Sequence, residues 1–179
     1  MAEFLWIFWS FSLLGWVLER LFAAVTRSPR RRRRCLLLLP LCPVYGLGMA
    51  AVLALPPSLR SGWPLYLWGG LTATAVEYIY HWWGETFLGM SFWDYTGVFG
   101  NLRGRVCLLF SLAWGLLLFP AVYLVTPPVV ALADRVPIGV TWWLLLAFTA
   151  DAVCSLRFLA VTHDLEALRA VIWPVSADR

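Results

Sequence analysis

Five stretches of roughly 20 residues or more, each nearly free of charge, follow one another along the chain: 4–25, 35–55, 64–88, 106–125 and 138–160. At about 1.5 Å per residue each is long enough as a helix to cross a hydrocarbon layer of about 30 Å. Hydrocarbon offers the backbone no hydrogen bonds, so segments of this kind must satisfy their own N–H and C=O groups, and the helix does so within one strand of chain. Turn-rich sequence separates them: "RSPRRRRR", "PPSLRSGWP", "GMSFWDYTGVFGNLRGR" and "TPPVVALADRVP". Composition agrees, since 61% of residues are hydrophobic and 13% charged, against about 25% charged in soluble domains. The expectation is an all-α integral membrane bundle of five transmembrane helices. It forms one domain over residues 1–179, with a long cytosolic loop after the third helix. Residues 161–179 form a cytosolic tail, in which Leu165, Leu168, Val171 and Ile172 share the apolar side of a short amphipathic helix.

Orientation follows from the arginines, which make up all 14 basic residues. Arg27 and Arg30 to Arg34 lie in the first connection, Arg103 and Arg105 in the third, and Arg169 and Arg179 in the tail, whereas the second and fourth connections hold only Arg60 and Arg135. Basic loops stay in the cytosol, so the amino terminus is expected outside and the carboxyl terminus inside the cell membrane. The arginine run has no interleaved aromatics to stack bases, so it reads as a topology determinant beside anionic headgroups and not as a nucleic-acid site. The first span begins with acidic Glu3 and reads as a retained anchor. Trp6, Trp9, Trp63, Trp68, Trp142 and Trp143 gather near the outer ends, as an interfacial aromatic belt does. Cys35, Cys42, Cys107 and Cys154 show no metal-ligand spacing and read as small apolar filler on the reducing side.

Charge inside the spans is the costly exception. Gly69, Ala73, Glu77, His81 and Glu85 recur every four residues and so share one face of the third span. A carboxylate facing lipid costs roughly 2.5–3.5 kcal/mol on insertion scales, while small residues let helices approach; this face must therefore point into the bundle. Counted from the inner end, Glu77 lies about 16 Å deep, near the midplane, and Glu19 about 9 Å deep. Glu77 is the candidate proton relay, or else a packing residue. Glu77, His81 and Glu85 could ligate a metal only with further ligands, so no metal is assigned. Arg105, at the mouth of the fourth span, is expected to pair with Glu19, Glu85 or Asp94. Asp151 and Arg157, six residues apart, lie on different faces and do not pair. "CPVYGLG" puts Cys42, Pro43, Tyr45 and Gly46 into the second span as a helix interruption. No GxSxG, HExxH or P-loop frame is present, so no catalytic residue and no cofactor is assigned.

Four ordered motifs carry a family resemblance: "FSLLGWVLE", "CPVYGLG", "VEYIYHWWGETF" and "WDYTGVFGNLRGRVCLLFSLAWG". Over residues 4–123 the chain resembles the bacterial family called putative ABC transporter permease, type IV. The resemblance implies a multi-pass membrane protein and a transporter subunit. It marks Gly15, Trp16, Glu19, Cys42, Pro43, Tyr45, Gly46, Glu77, Tyr78, Glu85, Trp93, Asp94, Tyr95, Asn101, Gly104 and Arg105. His81 and the glycine before Asn101 depart from the family pattern. If ATP drives transport, a separate ATP-binding protein must bind it, with the loop from Trp93 to Arg105 as its handle. Five spans are few for an aqueous path, so transport would call for a homo-oligomer. The alternatives are a non-transporting scaffold of a membrane complex and an enzyme acting on lipid headgroups through Glu19, Asp94 and Arg105.

Overall fold

A computed structural model describes residues 1–26, 35–165, 167 and 168. Among the described residues the chain is all-α apart from one minute hairpin. Helix α1, Ala2–Thr26, is apolar on nearly every side and runs 25 residues without a break. The second limb is different. From Cys35 to Leu41 the chain is bent and non-helical, and helix α2, Pro43–Leu53, has only 11 residues, about 16 Å of helix. Pro43 opens α2 instead of interrupting it: at the first helical position its missing N–H would have no partner, and its fixed φ suits the turn. The expected helix over 35–55 is thus half helix and half irregular chain.

Helix α3 runs over 62–88, through a short turn Gly62–Pro64, a π-helical stretch Leu65–Gly69 and the regular helix Gly70–Leu88. It ends at Gly89, whose φ of 65° needs no Cβ. The loop over 89–107 folds back as a two-strand hairpin, β1 (Asn101–Leu102) against β2 (Val106–Cys107). Helix α4, Leu108–Arg135, passes through Pro120 and a π-helical turn, Ala121–Val125. The sequence suggested an end near Val125, before Pro127 and Pro128. The helix continues because Thr126 bonds the Ala121 carbonyl with its N–H and with its hydroxyl at 2.8 Å, so the turn closes before the two prolines begin the next segment. Helix α5 is Ile138–Thr162.

Three of these helices, Ala2–Val25, Leu108–Arg135 and Ile138–Thr162, are long and apolar enough to cross a membrane. The other two limbs pack inside them: α2 lies between α1 and α3, and α3 lies against α4. Glycines set the closest approaches. A Cβ on Gly46 would overlap the Phe8 carbonyl of α1, and one on Gly70 would stand 3.2 Å from Cα of Gly115 on α4, the small-residue packing that replaces a hydrophobic drive in lipid. At one end the Trp6 indole donates to Thr141 (3.1 Å), and at the other His163 Nδ1 meets the Leu88 carbonyl (2.7 Å). Helices α1, α3 and α5 therefore point the same way, with the amino terminus and residue 163 at opposite ends. Large apolar side chains such as Leu71, Ile79, Leu109, Leu116, Trp143 and Leu146 stay exposed around the outside, as a lipid-facing surface requires. The arginine-rich connection and residues 169–179 lie outside the described residues, while Leu165 and Leu168 of the tail are buried.

Candidate functional site

The stripe on α3 faces inward. Gly69, Glu77 and His81 are buried, Ala73 and Glu85 half-buried, and Ile79 and Trp82 on other faces are exposed. Glu77 is 2% exposed. Its carboxylate accepts the Trp114 indole N–H from α4 at 2.7 Å and the Tyr95 hydroxyl from the loop at 3.3 Å. Hydrogen bonds of this kind are the condition for burying a polar group. Beside it, the Tyr45 hydroxyl of α2 donates to Glu19 of α1 at 2.5 Å, and the Tyr45 ring meets Trp114 edge-on at 5.2 Å. One aromatic pair thus joins both carboxylates, and with them four helical limbs. A cavity of ≈ 140 Å³ lies here, lined among others by Glu19, Tyr45, Tyr95 and Trp114.

A second cluster sits where α3 meets the loop. Arg105 Nε and Nη2 each stand 2.7 Å from Oε2 of Glu85, while Nη1 donates to the Tyr78 hydroxyl at 2.8 Å. Of the three partners expected for Arg105, Glu85 is the one it meets. The Trp93 indole donates to the Arg105 carbonyl at 2.7 Å and stacks on His81 with centroids 4.7 Å apart. The Ser91 hydroxyl donates to the Trp93 carbonyl (2.7 Å) and lies 3.0 Å from His81 Nε2. With its proton committed, Ser91 can only accept from the imidazole, which places the ring proton on Nε2.

Asp94 and Asn101 are exposed. Asp94 accepts the Thr96 N–H at 2.7 Å, and the hydroxyl and N–H of Thr96 hold its carboxyl below the usual range. Asn101 donates to the Val98 carbonyl (2.8 Å) and accepts from Gly104 N–H (3.1 Å). Both shape the loop, which takes positive φ at Gly97 and Gly100 before the hairpin and at Arg103 and Gly104 in its turn. Cys42 is buried, and its N–H bonds the Ser12 carbonyl at 2.9 Å, fixing the start of α2 halfway along α1. Gly46 then lets α2 touch α1.

Sequence reasoning left Asp151 without a partner and did not single out Trp114 or Ser91. Asp151 accepts the N–H groups of Leu38 (3.1 Å) and Leu39 (3.0 Å) and the Ser155 hydroxyl (2.9 Å). It satisfies irregular backbone that hydrocarbon could not. The signal for Trp114 was an indole N–H in the middle of an otherwise aliphatic stretch, which needs an acceptor once buried. No group of three metal-ligating side chains occurs among the described residues. Glu77 turns to Trp114 and Tyr95, and Glu85 to Arg105.

Long apolar helices around buried, internally bonded carboxylates define a helical membrane protein, and the bilayer is its first partner. The chain belongs to the family described as Putative ABC-transporter type IV, which it matches over residues 6–156. No curated protein and no solved structure matches it.

Proposed function

We propose that the chain is the membrane-embedded subunit of a transporter, working with a separate ATP-binding protein that grips the loop over 89–107 on the cytosolic side. Family membership supports the transporter class. The carrying observation is the construction of that loop. Arg105 clamps it to Glu85 and Tyr78 of α3, while its tip turns Phe99, 86% exposed, and Leu102 outward. A connector needs neither a rigid base nor an apolar tip; a docking handle needs both. All five limbs cross the bilayer in this reading, the second as half helix and half irregular chain. The amino terminus is outside, and the ends bearing Arg27 to Arg34 and Arg103 lie inside. The chain has no lysine with which to build a phosphate loop, so ATP hydrolysis belongs to the partner, and a homo-oligomer supplies the path.

Affinity purification in mild detergent tests this. Wild-type protein brings down an ATP-binding protein, Phe99→Asp and Arg105→Ala release it, and Glu77→Gln retains it. Absence of any ATPase from the wild-type preparation defeats the reading.

A scaffold without transport is the second reading, favoured by the way Glu19 and Glu77 are held by fixed aromatic donors from neighbouring limbs. The two readings part at Glu77→Gln. A glutamine still accepts the indole N–H, so a scaffold keeps its function, whereas a transporter in which the Glu77 carboxylate relays a proton during the ATP-driven cycle stops.

A further inference from the structure

Helices α1 and α4 do not lie flush. The helical stretch Thr126–Arg135 of α4 packs on α1, and at the far end Phe22 meets Phe110 edge-on at 6.0 Å. Between these two contacts the helices stand apart, beside the turn where Pro120 and the π-helical Ala121–Val125 change the course of α4. The space left is a groove of ≈ 360 Å³. Its walls include Leu14, Leu18 and Leu21 of α1 and Leu117 of α4, and its back includes Gly48 and Ala73. The leucine walls are partly exposed on the lipid-facing side of the molecule.

We propose that this groove seats one alkyl chain of a membrane lipid. The inference rests on the placement of α1 and α4 in the bilayer and not on ATP-driven transport. Three observations select the occupant. The groove is part of two helices apolar enough to span a membrane, so hydrocarbon is the medium that meets it. Its wall is almost wholly apolar, and an apolar cavity does not hold water. Its section is narrow: Phe11 to Leu21 spans ten residues of α1, about 15 Å, and ≈ 360 Å³ over that length gives about 24 Å². A helix about 10 Å across needs about 80 Å², so the space suits a single extended chain better than a span from a partner or a second copy. At its floor lie Tyr45, Glu77 and Trp114, which also border the smaller cavity or the carboxylates beside it. A seated chain would therefore press on the aromatic pair that joins Glu19 to Glu77.

Gly48 gives a clean test, because a Cβ there would meet nothing within 4 Å. The protein is reconstituted in nanodiscs with a phospholipid carrying a photoreactive diazirine in one acyl chain, irradiated, and mapped by peptide mass spectrometry. Labelling on 14–21 and at Leu117 is expected to exceed that at the exposed Leu146 and Trp143 several-fold. Gly48→Phe, or Leu117→Trp from the opposite wall, fills the groove and reduces labelling there to the Leu146 level, while Gly48→Ala preserves it. Even labelling of all exposed leucines, labelling unmoved by both filling variants, or cross-links from the groove to a second copy would each overturn the proposal. Loss of the ATP-binding partner leaves this readout untouched.

Discussion

An indole N–H buried at the level of a carboxylate is the smallest unit on which this molecule depends. Trp114 donates to Glu77 and touches Tyr45, which donates to Glu19, so one side chain on α4 reaches both acids. Trp114→Phe keeps most of the packing and removes the donor. It should lower stability by about 0.6–1.7 kcal/mol, the span from mean to maximum for a hydrogen bond inside a membrane protein, read as a shift in the unfolding midpoint in mixed micelles. Glu77→Gln should cost less, because the amide oxygen still accepts. If Trp114→Phe unfolds at the wild-type midpoint, the bond to Glu77 carries no structural weight. Asp94 gives a pH prediction in the loop. Thr96 depresses its folded pKa, so the stabilisation is present above the unfolded value and disappears as pH falls through the depressed folded one. Protection of the Thr96 amide against hydrogen exchange should therefore fade on acidification below the ordinary carboxylate range, and Asp94→Asn should remove that pH dependence.

Glycines divide into those that hold elements together and those that do not, and α2 contains both kinds. Added Cβ atoms on Gly15 and Gly46 would overlap the Tyr45 side chain and the Phe8 carbonyl, respectively, whereas Gly48 faces open space. Gly46→Ala should destabilise the α1–α2 pair by about 1–3 kcal/mol, as overpacking does. Gly48→Ala should cost nothing and gain up to about 1 kcal/mol, because alanine is the better helix former and its Cβ meets no neighbour. Equal midpoints for the two variants would remove the close α1–α2 approach from the account. Elements also show what the sequence could express. Helices α1 and α5 were legible because an unbroken apolar run has one solution in lipid, and the α3 stripe was legible because its spacing repeats every four residues. The half-helical second limb was hidden: Leu36 to Leu39 are apolar whether helical or extended. What keeps them irregular is Asp151, more than a hundred positions away. Pro127 and Pro128 misled for the converse reason, since local rules did not show that Thr126 would close the turn before them. In the site, Arg105 was placed at the right mouth with three candidate partners, and only the fold of the loop selects Glu85.

At the scale of the whole molecule the expectation that matters most is alternation. Trp6 with Thr141 at one end and His163 with Leu88 at the other set the connection over 54–61 and the loop over 89–107 on opposite ends of the bundle. Crossing by all five limbs requires α2, about 16 Å long, to be completed by the non-helical chain before it, whose N–H groups Asp151 serves. A polar, glycine-bearing α3 must in turn be lined by its neighbours. Contacts within the chain support both conditions: Asp151 takes the Leu38 and Leu39 N–H groups, and α2 and α4 flank α3. Single cysteines at Ser58 and at Thr96, in a background with Cys35, Cys42, Cys107 and Cys154 replaced, provide the measurement. On intact cells a membrane-impermeant maleimide should react with Ser58→Cys, and with Thr96→Cys only after permeabilisation. The reverse pattern would overturn the orientation drawn from the arginines, and with it the placement of the loop as a cytosolic handle, while keeping the alternation. Reaction of both from the same face would overturn the alternation itself.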